Sequence, residues 1–94
     1  MDTPKWHGCR LVPTYTALRE LQELDMDLFD AVNVLEYGFD CPKSRRSPGV
    51  HERCIREGNK VIRIVVVPWE VSYHDGSIEK VWKVIHAGKG GRLK

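Results

Sequence analysis

Five side chains able to bind a borderline metal occur in this sequence, at His7, Cys9, Cys41, His51 and Cys54. Four of them could form a tetrahedral zinc site joining the N-terminal segment to the region between Cys41 and Cys54. Such a tie would stabilise a small domain. No closely spaced cysteine pair anchors the set, so reduced, buried cysteines are the plainer expectation, and no cofactor is expected. A second kind of chemistry rests on His86, because an imidazole can act as a base or an acid. A third rests on cations. Arg45, Arg46, Arg53, Lys60, Arg63 and Lys83 all fall in the second half of the chain and could hold an anionic partner.

The strands that would carry these groups are read from period-two alternation. Lys60 to Trp69, rich in Val and Ile, is the strongest strand and is expected to end at Pro68. Ile62, Ile64 and Val66 share its uncharged face, which should lie under helices, while Arg63 shares the other face with Val61, Val65 and Val67. Glu52 to Arg56 is a shorter strand, and Ile78 to His86 follows a His74-Asp75-Gly76-Ser77 turn, with Gly76 supplying the positive φ. With Trp82 and Val84 in the core, Lys83 joins Arg63 on the open face and His86 points the other way, as a structural histidine. With Cys54 also in the core, Arg53 becomes the third cation of that face, and Ile55, Val65 and Ile85 lie between the cations. A face both basic and apolar suits a phosphate backbone with its bases. It also suits an acidic amphipathic segment, and long cationic side chains can serve solubility alone.

Helices precede those strands. Pro13 and a cap at Thr14 or Thr16 introduce Ala17, Leu18, Leu21 and Leu24 at helical spacing. Asp25-Met26-Asp27 breaks the period. Asp27 can cap a second helix by accepting from the Asp30 amide, and that helix carries Phe29, Val32, Val34 and Leu35. Gly38 stands where a left-handed C-terminal cap belongs. Lys5 to Val12 is a weak strand candidate, with residues 1–12 a possible edge strand, and residues 88–94 read as a flexible basic tail. The 40–50 stretch has two prolines and no periodicity, so it is a loop.

Ninety-four residues with 41% hydrophobic content describe one globular domain, 1–94. Six acids oppose one base from Ala17 to Glu36, and seven bases oppose three acids from Asp40 to Arg63. This division gives one acidic and one basic layer. The expected fold class is α+β, with two N-terminal helices packed on one face of a small antiparallel sheet. The start of the chain lacks an apolar run and so reads as having no secretory signal. Ile64 to Val67 is too short to span a bilayer, so no membrane association is expected. Three widely spaced cysteines do not suggest a disulfide framework, and a reducing cytoplasm is the expected setting.

Thr16 to Gly38 (TALRELQELDMDLFDAVNVLEYG), the cysteine-proline and double-arginine loop, and the ending Val81-Trp82-Lys83-Val84-Ile85-His86-Ala87-Gly88 resemble a family of small prokaryotic domains related to the BrnT and RelE-like toxins. That resemblance covers Thr16 to Gly88. It implies a RelE/BrnT-like architecture, RNA as substrate, metal-free ribonuclease chemistry, and a cognate antitoxin-like protein as partner. It carries these roles to Lys60, Arg63, Lys83 and His86. The family often opens its first helix with His-Ala and carries an arginine within it. Here Thr16-Ala17 and Glu20 stand instead, so the roles of that histidine and arginine do not carry over. The readings from another class are a non-catalytic protein-interaction module, which could use Tyr73, Trp69 and Trp6 as exposed aromatics although aromatics are more often core, and a small zinc-stabilised domain.

Overall fold

The computed structural model describes residues 3–41 and 48–90. Arg45 and Arg46, and residues 91–94 of the expected tail, lie outside them. The elements are β1 (Lys5–Trp6), β2 (Cys9–Pro13), α1 (Tyr15–Glu23), α2 (Leu28–Tyr37), β3 (Phe39–Asp40), β4 (His51–Glu57), β5 (Lys60–Ser72) and β6 (Ile78–Gly90). They form one six-stranded sheet in the order β1-β2-β6-β5-β4-β3.

This architecture overturns the expectation of two N-terminal helices on a small antiparallel RelE/BrnT-like sheet. A two-strand hairpin precedes the helices, β2 runs parallel to β6, and the mixed sheet curls into a half-barrel. Strand accounts for 51% and helix for 23% of the described residues, so the sheet dominates. The physical reason lies in the connections. β2 and β3 sit four strand positions apart, about 19 Å at roughly 4.8 Å per step. The chain between them must cross the sheet, and a helical pair makes that crossing over one face.

Local chemistry sets the ends of the helices. Thr14 is the N-cap of α1, its hydroxyl accepting from the Ala17 amide at 3.0 Å. Asp27 and Asp30 form a reciprocal capping box on α2: the Asp30 amide donates to Asp27 and the Asp27 amide to Asp30. Helices of nine and ten residues are marginal alone, so burial holds them. Ala17 and Leu21 of α1, with Ala31, Val34 and Leu35 of α2, pack on Ile62, Ile64, Val66, Val84 and Ala87. Leu18 and Phe29, expected on the apolar side, are 41% and 49% exposed.

Gly38 does not adopt the expected left-handed conformation; its φ is −78°. A Cβ there would run into the carbonyl oxygens of Val34 and Cys54. Glycine is required because the end of α2 approaches the β4 backbone closely.

β5 continues through Pro68 to Ser72 rather than ending at the proline. Its pairing with β4 stops at Val66. Tyr73 donates its amide to Ser77 across the hairpin, so by alternation the proline nitrogen faces the side β4 has left. No ladder bond is lost there. β6 likewise extends to Gly90, which makes Gly88 to Gly90 strand rather than tail.

Candidate nucleic-acid interface

Directly opposed residues of antiparallel strands share a face, so the register assigns the candidate groups. Arg63 pairs with Cys54 and Gly88, Val65 with Glu52 and His86, Val67 with Lys83, and Trp69 with Val81. All lie on the face away from the helices. Pairing is interrupted once, between Val65 and Val66, where Ile85 has no opposite residue. This bulge shifts the alternation of β6. Val84 and Ala87 therefore both point into the core, and His86 turns to the second face. The expectation that His86 lies opposite Arg63 and Lys83 is corrected by that one extra residue.

The outcome is a line of donors along β5 and β6. The rows of Arg63, His86, Lys83 and Trp69 follow one another at two-residue steps, roughly 6.6 Å each at about 3.3 Å per residue. Arg63 is held at its Nε by Glu52 at 3.5 Å, and 46% of its side chain stays exposed. His86 is 51% exposed, with Nδ1 3.5 Å from the Glu20 carboxylate. Glu20 also accepts the Ala87 amide at 3.1 Å. That amide lies beyond Val84, where β2 pairing stops, so Glu20 satisfies a strand-edge donor and steadies the imidazole from the same atom. Lys83 extends its ammonium over the Trp69 ring, 3.9 Å from the centroid. Such a cation–π contact is worth about 0.5–1 kcal/mol at an exposed site.

Trp69 itself is 52% exposed. It borders a groove of about 670 Å³ with Cys9, Pro68, Glu70, Lys80, Val81 and Trp82. The groove lies on the part of the β5–β6 hairpin that outruns β4. Arg10 of β2 pins this arm: its Nε donates to Glu79 at 2.7 Å and a terminal nitrogen donates to the Tyr73 hydroxyl. The Tyr73 hydroxyl in turn donates to Glu79. The hydrogen bonds from Arg10 and then Tyr73 hold the Glu79 carboxyl below its usual range, and the same pairing raises Arg10.

Other cations have different work. Arg53 was expected on the open face, but it pairs with Ile64 and so lies on the helix side. Its guanidinium donates to the Gly38 carbonyl at the end of α2 and to Asp40 at 2.9 Å. It closes a helix C-terminus, where a cation is favoured. Ile55 likewise packs against the helix-side core. Lys60 is exposed at the β4–β5 turn, paired in register with Glu57. Lys89 donates to Glu57.

The cysteines are also placed differently from expectation. Cys41 and Cys54 form a disulfide with 13 residues of sequence separation, buried with Val61 on the second face and packed by Phe39. Cys54 is thus buried, but on the side away from the helices. The bond takes two thiolates from the zinc set. Among the described residues no cluster of three or more His, Cys, Asp or Glu is arranged to hold a metal ion. His7 and His51 instead join the aromatic cluster of Trp6 and Trp82, at ring separations of 4.3 Å from Trp6 and 5.2 Å from Trp82. Cys9 is a free thiol. Among the described residues no helix is long and apolar enough to cross a membrane.

Sequence reasoning offered Trp69 to a protein partner and not to the cationic track, because its alternation places it with Val65 and Val67, where an aromatic is usually packed. Glu20 was missed because a helix-surface acid carries no signal for a strand edge. Comparison with family profiles, curated proteins and solved structures finds no match, so the functional reading rests on geometry.

Proposed function

We propose that this domain binds RNA along the second face of its sheet, without a metal or cofactor. The observation that carries this reading is the Arg63–His86–Lys83–Trp69 line. Phosphates are held best by cations that remain partly exposed, and bases by an aromatic ring at the end of the same track. Arg10, Arg53 and Lys89 are engaged more closely, by Glu79, Asp40 and Glu57 at 2.7–2.9 Å, than Arg63 is by Glu52 at 3.5 Å. The electrostatic footprint is therefore small. With Arg63 and Lys83 as the principal phosphate contacts, the slope of log K against log salt should be about −1.4 on single strands, at roughly 0.7 per contact.

The test is titration of a fluorescent oligoribonucleotide at several salt concentrations. Wild type should bind with that shallow slope, and the Arg63→Ala/Lys83→Ala double variant should lose most of it. Absence of binding by folded wild type at low salt would refute the reading.

Cleavage is a second reading, favoured by the exposure of His86 and its Glu20 contact. The imidazole would take the 2′-hydroxyl proton as the 2′-oxygen bonds to phosphorus, Arg63 and Lys83 would carry the charge of the pentavalent phosphorus, and the P–O5′ bond would break with solvent water protonating the leaving 5′-oxygen. Cleavage in chelator that vanishes in His86→Ala, with binding retained, is the expected signature; intact RNA after prolonged incubation with wild type removes it.

A further inference from the structure

The end of the β5–β6 arm carries an indole, Trp69, whose exposure the phosphate track alone does not explain. Of the lining of the groove beside it, Pro68, Glu70, Lys80 and Trp82 lie on the helix side, while Trp69 and Val81 belong to the second face, where Lys83 reaches the Trp69 ring. What separates Trp69 from the other exposed aromatics, Tyr15, Tyr37, Phe29 and Tyr73, is the lysine held over its ring. Here Trp69 leaves about half its surface in solvent although Val81, directly opposite, is 3% exposed.

One ring face is fixed by the Lys83 ammonium. A cation so placed does two things: it locks the indole orientation, and it puts positive charge within one nucleotide of the ring. About half of the residue remains in solvent, enough for a flat partner to stack on. A nucleobase attached to a phosphate matches both demands at once, since its π-face stacks on the indole and its phosphate meets Lys83. An acidic peptide would use the lysine but leave the flat surface poorly filled. Glu70 stands opposite Lys80 in register and offsets that charge, so the pull on an anion is concentrated at Lys83, beside the ring.

We infer that Trp69 is a stacking platform for an unpaired base, which makes single-stranded RNA, rather than duplex, the ligand class of this face. The inference rests on the RNA-binding reading above. In a duplex the base is already stacked on both sides and paired at its edge, so the platform cannot reach its π-face. In a single strand, each base stacked on an aromatic contributes about 1–3 kcal/mol, or roughly five- to 150-fold in affinity.

The experiment uses a twelve-residue oligouridylate and a duplex of the same length, with full-length wild type, Trp69→Leu, Trp69→Phe and Arg63→Ala/Lys83→Ala proteins. Circular dichroism melts confirm that each is folded. Wild type should prefer the single strand. Trp69→Leu should weaken that binding at least fivefold with the salt slope unchanged, while Trp69→Phe retains most of the affinity. The part of the tryptophan emission lost in Trp69→Phe should be the part that RNA quenches in wild type.

Equal affinity for duplex and single strand, or a Trp69→Leu protein that binds oligouridylate like wild type, would overturn the platform while leaving phosphate binding intact. Failure of wild type to bind either probe would overturn both. Concentration-dependent self-association of wild type that Trp69→Leu abolishes, with no RNA binding, would assign the exposed indole to protein contact instead.

Discussion

Reducing the Cys41–Cys54 bond should cost this domain a large share of its stability. The bond joins residues 13 apart, so reduction frees a loop of about 14 residues in the unfolded chain. The chain-entropy relation then gives about 3 kcal/mol at 25 °C. Domains of this size melt about 4–8 °C lower per kcal/mol lost, which puts the expected drop at about 12–24 °C. A 94-residue chain has a total stability of only about 5–15 kcal/mol, so the loss is easily seen. The assay is thermal unfolding followed by circular dichroism with and without a phosphine reductant, with free thiols counted by alkylation and mass spectrometry. Cys41→Ala/Cys54→Ala protein should melt near the reduced wild type and ignore reductant. A drop of less than about 4 °C, with all three thiols of the reduced protein alkylated, would refute the reasoning. The loop constraint would then be supplied by other contacts, and the bond would be incidental to folding.

Two further predictions concern packing and pH. Gly38→Ala should destabilise by about 1–3 kcal/mol, the usual cost of overpacking, because its Cβ meets two backbone carbonyls that cannot swing aside. Gly88→Ala, which has open space and no positive φ, should be neutral or slightly stabilising; equal denaturant midpoints for the two variants would contradict this account. Glu79 has its folded-state pKa depressed by Arg10 and Tyr73, so its contribution is present above the ordinary carboxylate range. It is lost as pH falls from about 4.5 through the depressed value. Near-ultraviolet dichroism of the Tyr73 region should therefore fray in acid for wild type, and an Arg10→Ala protein should show that signal already altered at neutral pH.

Much of the fold was legible because local chemistry decides it. The Asp27–Asp30 box, the Thr14 cap and the Gly76 turn follow from residue types at fixed offsets. The Ile62–Ile64–Val66 face under the helices follows from alternation. What was not legible depends on partners distant in sequence. β1 and β3 have two residues each, too few to show a period. The parallel β2–β6 pair joins Leu11 to Trp82, and nothing in either segment specifies the other. Arg53 was placed on the open face because Arg53 and Cys54 alternate and a buried cysteine was assigned to the helix side. The disulfide with Cys41 buries Cys54 on the opposite side, and that single inversion sends Arg53 to Gly38 and Asp40.

The same sensitivity governs the candidate site. Strict alternation from Trp82 and Val84 directs His86 inward, and every inference about an acid or base then fails. One unpaired residue, Ile85, reverses this. The bulge falls near where β2 ends at Pro13 and α1 begins, with Thr14 donating its amide to Val84 at 2.9 Å. β6 there loses its neighbour, and Glu20 takes the exposed Ala87 amide. A strand with a partner on each side is held to its register by both ladders, whereas one with a free edge can absorb an extra residue at small cost. The helix that replaces β2 at that edge supplies the carboxylate that meets both the amide and the imidazole. Core packing of Val84 and Ala87, the edge capped by Glu20 and the outward turn of His86 are thus consequences of one local event. Because the event costs little on an edge, a line of Arg63, His86 and Lys83 can be built without a second charged strand.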